Sequence, residues 1–198
     1  MTERFLTIQK QANGLCKEKG SKFLSFALPV RDVDEVKEYL TAFKKQYHDA
    51  RHVCYAYMLG AERDEYRVND DGEPPGTAGK PILGQINSRG LTNVLVVVVR
   101  YFGGVLLGTG GLITAYKEAA ADSLDQAEII EKTVDCCFEV FFEYPFIEHV
   151  MSAVKEFQAQ VISQDFNEEC KMKLRVPLAN KSAFNHKLEK VAVLKIIS

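Results

Sequence analysis

The chain has almost no net charge, no paired cysteines and no long apolar run, and each lack removes a class of function. Its 25 Lys and Arg stand against 27 Asp and Glu. Residues 1–132 hold 17 against 18 and residues 133–198 hold 8 against 9, so each part carries a net charge of −1. No global field recruits nucleic acid, and any contact with a polyanion must be a local patch. The five cysteines, Cys16, Cys54, Cys136, Cys137 and Cys170, are odd in number and form no CxxC pair. That spacing argues against zinc and redox motifs and for a reduced, cytoplasmic setting. His48, His149 and His186 have no partner at metal-ligand spacing. The longest aliphatic run, Val94–Val99, is too short to cross a bilayer, and the opening MTERFLTIQK lacks the apolar centre of a signal peptide. Neither membrane insertion nor export is expected. No repeat or low-complexity segment is present.

What the sequence does have is glycine concentrated in one region. Ten of its 13 glycines lie between Gly72 and Gly111, eight of them in two turns, RVNDDGEPPGTAGKP and RYFGGVLLGTGGL, on either side of the apolar run NVLVVVV. Such density means that the backbone takes φ > 0 or lets something approach closely, and both loops feed segments that read as helices. If the chain has a site, it is expected here.

The opening reads as strands: Phe5, Leu6 and Ile8, then Leu15–Cys16, a KEKGSK turn, and Phe23, Leu24, Phe26 and Leu28. From Asp32 the period changes. Val33, Val36, Leu40 and Phe43 mark one helical face, with Asp32 as N-cap, Glu35 completing a capping box and an end near Tyr47. Val53–Leu59 returns to strand composition, and Gly60 with AERDE makes a turn. Thr77 is expected to cap a short helix that tolerates Pro81 in its first turn. Leu95–Val99 reads as a strand buried on both faces, at the centre of its sheet. Thr109 is expected to cap the next helix, whose Leu112, Tyr116, Ala120 and Leu124 fall on one face. The pattern breaks at Glu128–Lys132, which sets a boundary between a domain over 1–130 and another over 133–198. The second reads strand (134–142), helix (145–157), strand (161–166), strand (170–176), helix (181–190) and strand (193–197), the βαββαβ order of a ferredoxin-like unit. A chain of 198 residues can bury roughly 70% of its unfolded surface as one domain or divide in two.

Chemistry is sought in the loops. Gly108, Thr109, Gly110 and Gly111 lead into a helix whose first N–H groups have no intrahelical partner, and such an end attracts anions. The spacing is neither a Walker A loop nor a dinucleotide fingerprint, and a tight strand-to-helix turn is the structural alternative. Asp70, Asp71 and Glu73 cluster close to Gly76, Thr77, Gly79 and Lys80. Carboxylates so close can bind Mg²⁺ beside a phosphate or act as a base, or they can serve ordinary turn chemistry. Arg100, Tyr101 and Phe102 end the buried strand just before Gly103 and Gly104, where an arginine beside aromatics can grip phosphate and stack, or merely cover the sheet end. His52 and Cys54 share a strand face but stand roughly 7 Å apart, too far for direct proton transfer. Lys10, Lys17, Lys19 and Lys22 on the first hairpin offer a second polyanion contact or protect a sheet edge.

The segments KGSKFLSF, CYAYMLG, DDGEPPGTAGKPIL, LTNVLVVVVRYFGG and LGTGGLITAY, in this order and spacing, resemble the signature of the YigZ/IMPACT family. The resemblance covers about residues 15–125, and residues 133–198 are similar to the βαββαβ domain of bacterial members. It implies an α/β (α+β) fold: an N-terminal domain similar to the second domain of ribosomal protein S-five, and a C-terminal ferredoxin-like domain of the kind found in elongation factor G. Eukaryotic members regulate translation by competing for the protein that activates an initiation-factor kinase. For this chain the resemblance implies translation-linked regulatory binding, with RNA, the ribosome or a translation-related protein as partner. Its site would be a glycine-rich anion cleft built from the loop residues named above. Where many bacterial members carry Lys and Arg in and just after the second loop, this chain has Leu106 and Thr114, while Arg100 and Lys80 remain as matching basic groups. No catalytic residue, cofactor or metal is assigned. The alternatives are an Mg²⁺-dependent phosphoryl-transfer or hydrolytic enzyme acting on a small phosphorylated ligand, and a protein-interaction module.

Overall fold

A computed structural model describes residues 2–166 and 170–197. The chain is α+β and forms two compact units, one of Phe5–Lys132 and one of the remaining described residues.

The larger unit runs β1 (Arg4–Ile8), β2 (Ala12–Glu18), β3 (Ser21–Pro29), α1 (Val33–Gln46), β4 (His52–Leu59), β5 (Glu65–Asn69), α2 (Gly79–Ser88), β6 (Val94–Tyr101), α3 (Gly108–Asp125) and β7 (Ile129–Thr133). Five strands form one sheet in the order β2-β3-β6-β4-β5, so the valine-rich β6 is central. It is antiparallel to both neighbours. Period-2 alternation divides its side chains between two cores. Val94, Val96 and Val98 pack beneath α2 and α3 with Ile82, Leu112 and Tyr116. Leu95, Val97 and Val99 pack with Val36 and Phe43 of α1. Asp32 caps α1, accepting from the N–H groups of Asp34 and Glu35, while the Glu35 carboxylate reaches back to Arg31 N rather than to Asp32.

Two details differ from the pattern expected of the sequence. β1 leaves the first hairpin and pairs with β7 in a separate ribbon. β5 adds an edge strand where a turn followed by loop was expected; its EYRVN residues are mostly exposed and show no apolar alternation.

The smaller unit runs β8 (Asp135–Phe142), α4 (Ile147–Glu156), β9 (Gln160–Phe166), β10 (Cys170–Pro177), α5 (Lys181–Leu188) and β11 (Ala192–Ile197). Its sheet order, β11-β8-β10-β9, is that of the split βαββαβ unit. Val150, Val154, Phe184 and Leu188 cover Phe138, Val140, Met172 and Leu174 in a core of its own.

Candidate functional site

Parity along β6 explains how an arginine comes to be buried. Arg100 follows Val98 on the α2/α3 side of the sheet, opposite His52 of β4 and Phe23 of β3. Its guanidinium lies between the rings of Phe23 and Phe102, 5.4 and 5.7 Å from their centroids. Burying a charge demands a partner, and Glu73 from the first glycine loop supplies one. Glu73 Oε1 accepts from Arg100 Nη1 at 2.6 Å and from the Tyr116 hydroxyl at 2.8 Å. The two ionic side chains are only 6% and 3% exposed. His52 Nε2 stands 3.7 Å from the same oxygen. Its Nδ1 lies 2.7 Å from the Asp71 carbonyl, which can only accept, so Nδ1 carries a proton. Cys54 Sγ is 3.0 Å from the Asp70 carbonyl and 3.3 Å from the Tyr116 oxygen. Burial pushes both the Cys54 thiol and the Tyr116 phenol well up. Burial therefore favours the protonated thiol of Cys54 over the thiolate, the form that acts as a nucleophile.

The three carboxylates of the first loop do not converge. Asp70 accepts from the N–H groups of Gly76, Ala78 and Gly79. It thus fills the α2 N-terminus with the protein's own anion. Burial works to raise its pKa, but these donors and the charge of Lys80 outweigh it and hold the group below the usual carboxylate range. Asp71 accepts from Val53 N at 2.7 Å and faces Lys44 at 3.5 Å. Glu73 is committed to Arg100. Among the described residues, no group of three or more His, Cys, Asp or Glu side chains is arranged to hold a metal ion. Thr77 does not cap α2, because its hydroxyl donates to the Pro74 carbonyl while Asp70 takes the helix end.

The second loop is different. Leu107 occupies the N-cap position of α3, and among the described residues no side-chain cap is seen there. Thr109 lies one residue inside rather than at the cap. Glu73, Arg100, Phe102, Gly108 and Thr109 line a cleft of about 440 Å³ with Arg51, His52, Pro74, Leu106, Leu107 and Leu112. A neighbouring hollow adds Asp71 and Tyr101 and shares Arg51, His52 and Phe102. The hydroxyl of Tyr101 donates to Asp49. Gly110 and Gly111 belong to the first turn of α3, and a Cβ on Gly110 would meet nothing within 4 Å. Gly104 takes a positive φ of 86°. Gly103 is packed against the first hairpin, where a Cβ would come 2.0 Å from the Gly20 carbonyl carbon. Gly76 and Gly79 shape the Asp70-held turn, and Lys80 lies outside the cleft lining.

Reasoning from sequence set Tyr116 in the core and gave His52 and Cys54 no shared chemistry. The fold joins them through Tyr116 and Glu73, which no spacing rule along one strand reveals. Arg51, in the cleft lining, had no signal beyond its place next to His52.

The Impact N-terminal domain family matches residues 19–124 of the chain. The chain is 33% identical over 172 residues to the IMPACT family member YigZ of Escherichia coli (strain K12), spanning 86% of this chain and 84% of that protein. It is 29% identical over 185 residues to the IMPACT family member YvyE of Bacillus subtilis (strain 168), spanning 93% and 85%. To the Protein IMPACT of Rattus norvegicus it is 35% identical over 96 residues, covering 46% of this chain and 30% of that one. A crystal structure described only as that of a hypothetical protein superposes with a TM-score of 0.77 at 29% identity, covering 100% of this chain and 99% of the other.

Proposed function

Because the chain belongs to the IMPACT family, we propose that it is a translation-linked regulatory binding protein whose cleft beside α3 grips an anionic group of its partner. One observation carries this reading: the uncapped N-terminus of α3 opens onto a cleft that also presents Arg51 and the buried Arg100. Backbone N–H groups at such an end carry partial positive charge and await acceptors. The first-loop carboxylates are committed to Arg100, to β4 and to the α2 end. That favours binding over metal-assisted phosphoryl transfer.

Co-sedimentation with ribosomes and their subunits across a salt series tests the reading. Arg100→Ala is a poor probe, since it strands the buried Glu73 charge. Arg51→Ala and Gly110→Ala are better. We expect salt-sensitive pelleting of the wild type that both variants weaken. Absence of pelleting at low salt would remove the reading.

A further inference from the structure

We propose that the open face of the β11-β8-β10-β9 sheet is a platform for single-stranded RNA, with Phe141 as the stacking ring and Lys171, Lys173, Arg175 and Lys195 as phosphate contacts. The face belongs to the smaller unit, so it is a second surface and not part of the cleft beside α3.

Strand parity builds it. The helices α4 and α5 cover Phe138, Val140, Met172 and Leu174, so the residues between these point to the other side. Register then aligns them across the strands. Phe141 stands between Val193 and Lys171 in one row, and Glu139 between Lys195 and Lys173 in the next. Arg175 follows on β10, two residues beyond Lys173.

Positive charge is gathered on this face. Residues 133–198 carry 8 Lys and Arg against 9 Asp and Glu. Four of those cations point to the open side and, among the described residues, two of the acids, Glu139 and Asp165. Glu139 Oε1 is shared by Lys171 at 3.1 Å and Lys173 at 3.4 Å. Arg175 donates to the neutral Gln160, and the Lys195 ammonium rests on the ring of Phe141. A solvated sheet face needs only to be polar. An excess of one sign repels itself and is relieved by an anion.

The aromatic ring decides which anion. Phe141 is half-buried on an interior strand, with the Nζ atoms of Lys171 and Lys195 at 5.1 and 4.9 Å from its centroid. A duplex keeps its bases stacked inside, and an acidic peptide has no flat group to lay on a ring. A single strand brings bases and phosphates together, and four-stranded sheets read it with aromatics on the open face. A base stacked on Phe141 needs only to push two flexible lysine ends aside, onto its own phosphates. Beside Phe141 and Val193 a hollow of about 510 Å³ is also lined by Tyr144, which is 67% exposed, and gives room for a second base. Glu143 and Glu189 share that lining. They turn phosphate away from the hollow and accept from the amino groups of a base. The choice of RNA over DNA rests on the translation-linked reading above.

The test uses the full chain and fluorescence anisotropy. The labelled probes are a short unstructured RNA, the same RNA as a duplex, the same sequence as single-stranded DNA, and a polyglutamate peptide. We expect the single-stranded RNA to bind best, with an affinity that falls as salt rises. Arg175→Gln and Lys195→Gln should each weaken binding and lower the salt slope by about one. Phe141→Leu should weaken it by about tenfold with the slope unchanged, whereas Phe141→Tyr, which keeps the ring, should bind as the wild type does. Lys155→Gln removes the same charge from α4, on the covered side of the sheet, and should change neither affinity nor slope. No binding of single-stranded RNA overturns the proposal, as does tighter binding of the duplex or the peptide. A loss on Lys155→Gln equal to that on Lys195→Gln marks a diffuse field and overturns it too. If Phe141→Tyr loses as much as Phe141→Leu, the ring serves packing and not stacking, and the platform falls. Tighter binding of DNA overturns RNA as the occupant; when the same variants weaken it, the failure lies in the translation-linked reading and not in the face.

Discussion

At the scale of single residues, the first loop shows a side chain with a different task from the one its composition suggests. Asp70 sits in a DDGE cluster that reads as a cation or base site, yet its oxygens are taken by three backbone N–H groups at the start of α2. Sequence marks the carboxylates but not their directions, and only the turn through Gly72 and Gly76, both at positive φ, sends Asp70 inward and Glu73 toward Arg100. The sign of the pH effect follows from the donors. Asp70 titrates below its ordinary value in the folded chain. Its stabilisation is therefore fully present above the unfolded carboxylate value of about 4 and is lost as pH falls through the lower folded value. Asp70→Asn keeps one acceptor but loses the charge and faces Gly76 N with an amide donor. Urea denaturation at about pH 7 should show a loss of about 1–2 kcal/mol, of the size of a removed cap. That gap should narrow in acid, where the wild type is protonated too. A gap that stays constant with pH would refute the capping role.

At the scale of elements, the long periodic segments were legible and the short exposed ones were not. β6 and α3 declare themselves because each buries a regular face: Val94, Val96 and Val98 at period two meet Leu112, Tyr116 and Ala120 at period four. β5 and β7 bury little, so neither leaves a pattern to read. Glycine was legible as density but not as function, since similar residues in one loop meet opposite surroundings. Gly103 is pressed against backbone of the first hairpin, and the Cβ of an alanine would clash with Gly20 and Ser21. Gly110 faces open space in a helix turn. Gly103→Ala should cost about 1–3 kcal/mol or more, as overpacking does. Gly110→Ala should raise stability by up to about 1 kcal/mol through helix propensity. Thermal melts of the two variants check this directly. If Gly110→Ala destabilises, the glycine serves the fold, and its use as a binding probe fails with it.

At the scale of the molecule, the chain forms two compact units, and nothing in its composition marks to which of them the first residues belong. Glu3 accepts from Val134 N through its carbonyl, so the start of the chain goes with residues 133–197 while Phe5 begins the larger unit. Such a return of the terminus leaves no trace in composition, because a backbone hydrogen bond is indifferent to side chain. The energetic consequence is testable. The two cores that cover the faces of β6, and the whole lining of the cleft, lie within Phe5–Lys132. A domain with its own hydrophobic core is in principle able to fold alone. A fragment of residues 5–132 should therefore melt in one cooperative transition with native near-ultraviolet circular dichroism. It should pellet with ribosomes in a way that Arg51→Ala weakens, as the full chain does, since no cleft residue is lost. A fragment that binds a hydrophobic dye and melts without cooperativity would mean that the larger unit depends on the rest of the chain to pack. A folded fragment that no longer binds would instead show that the cleft the glycine loops build does not carry recognition by itself.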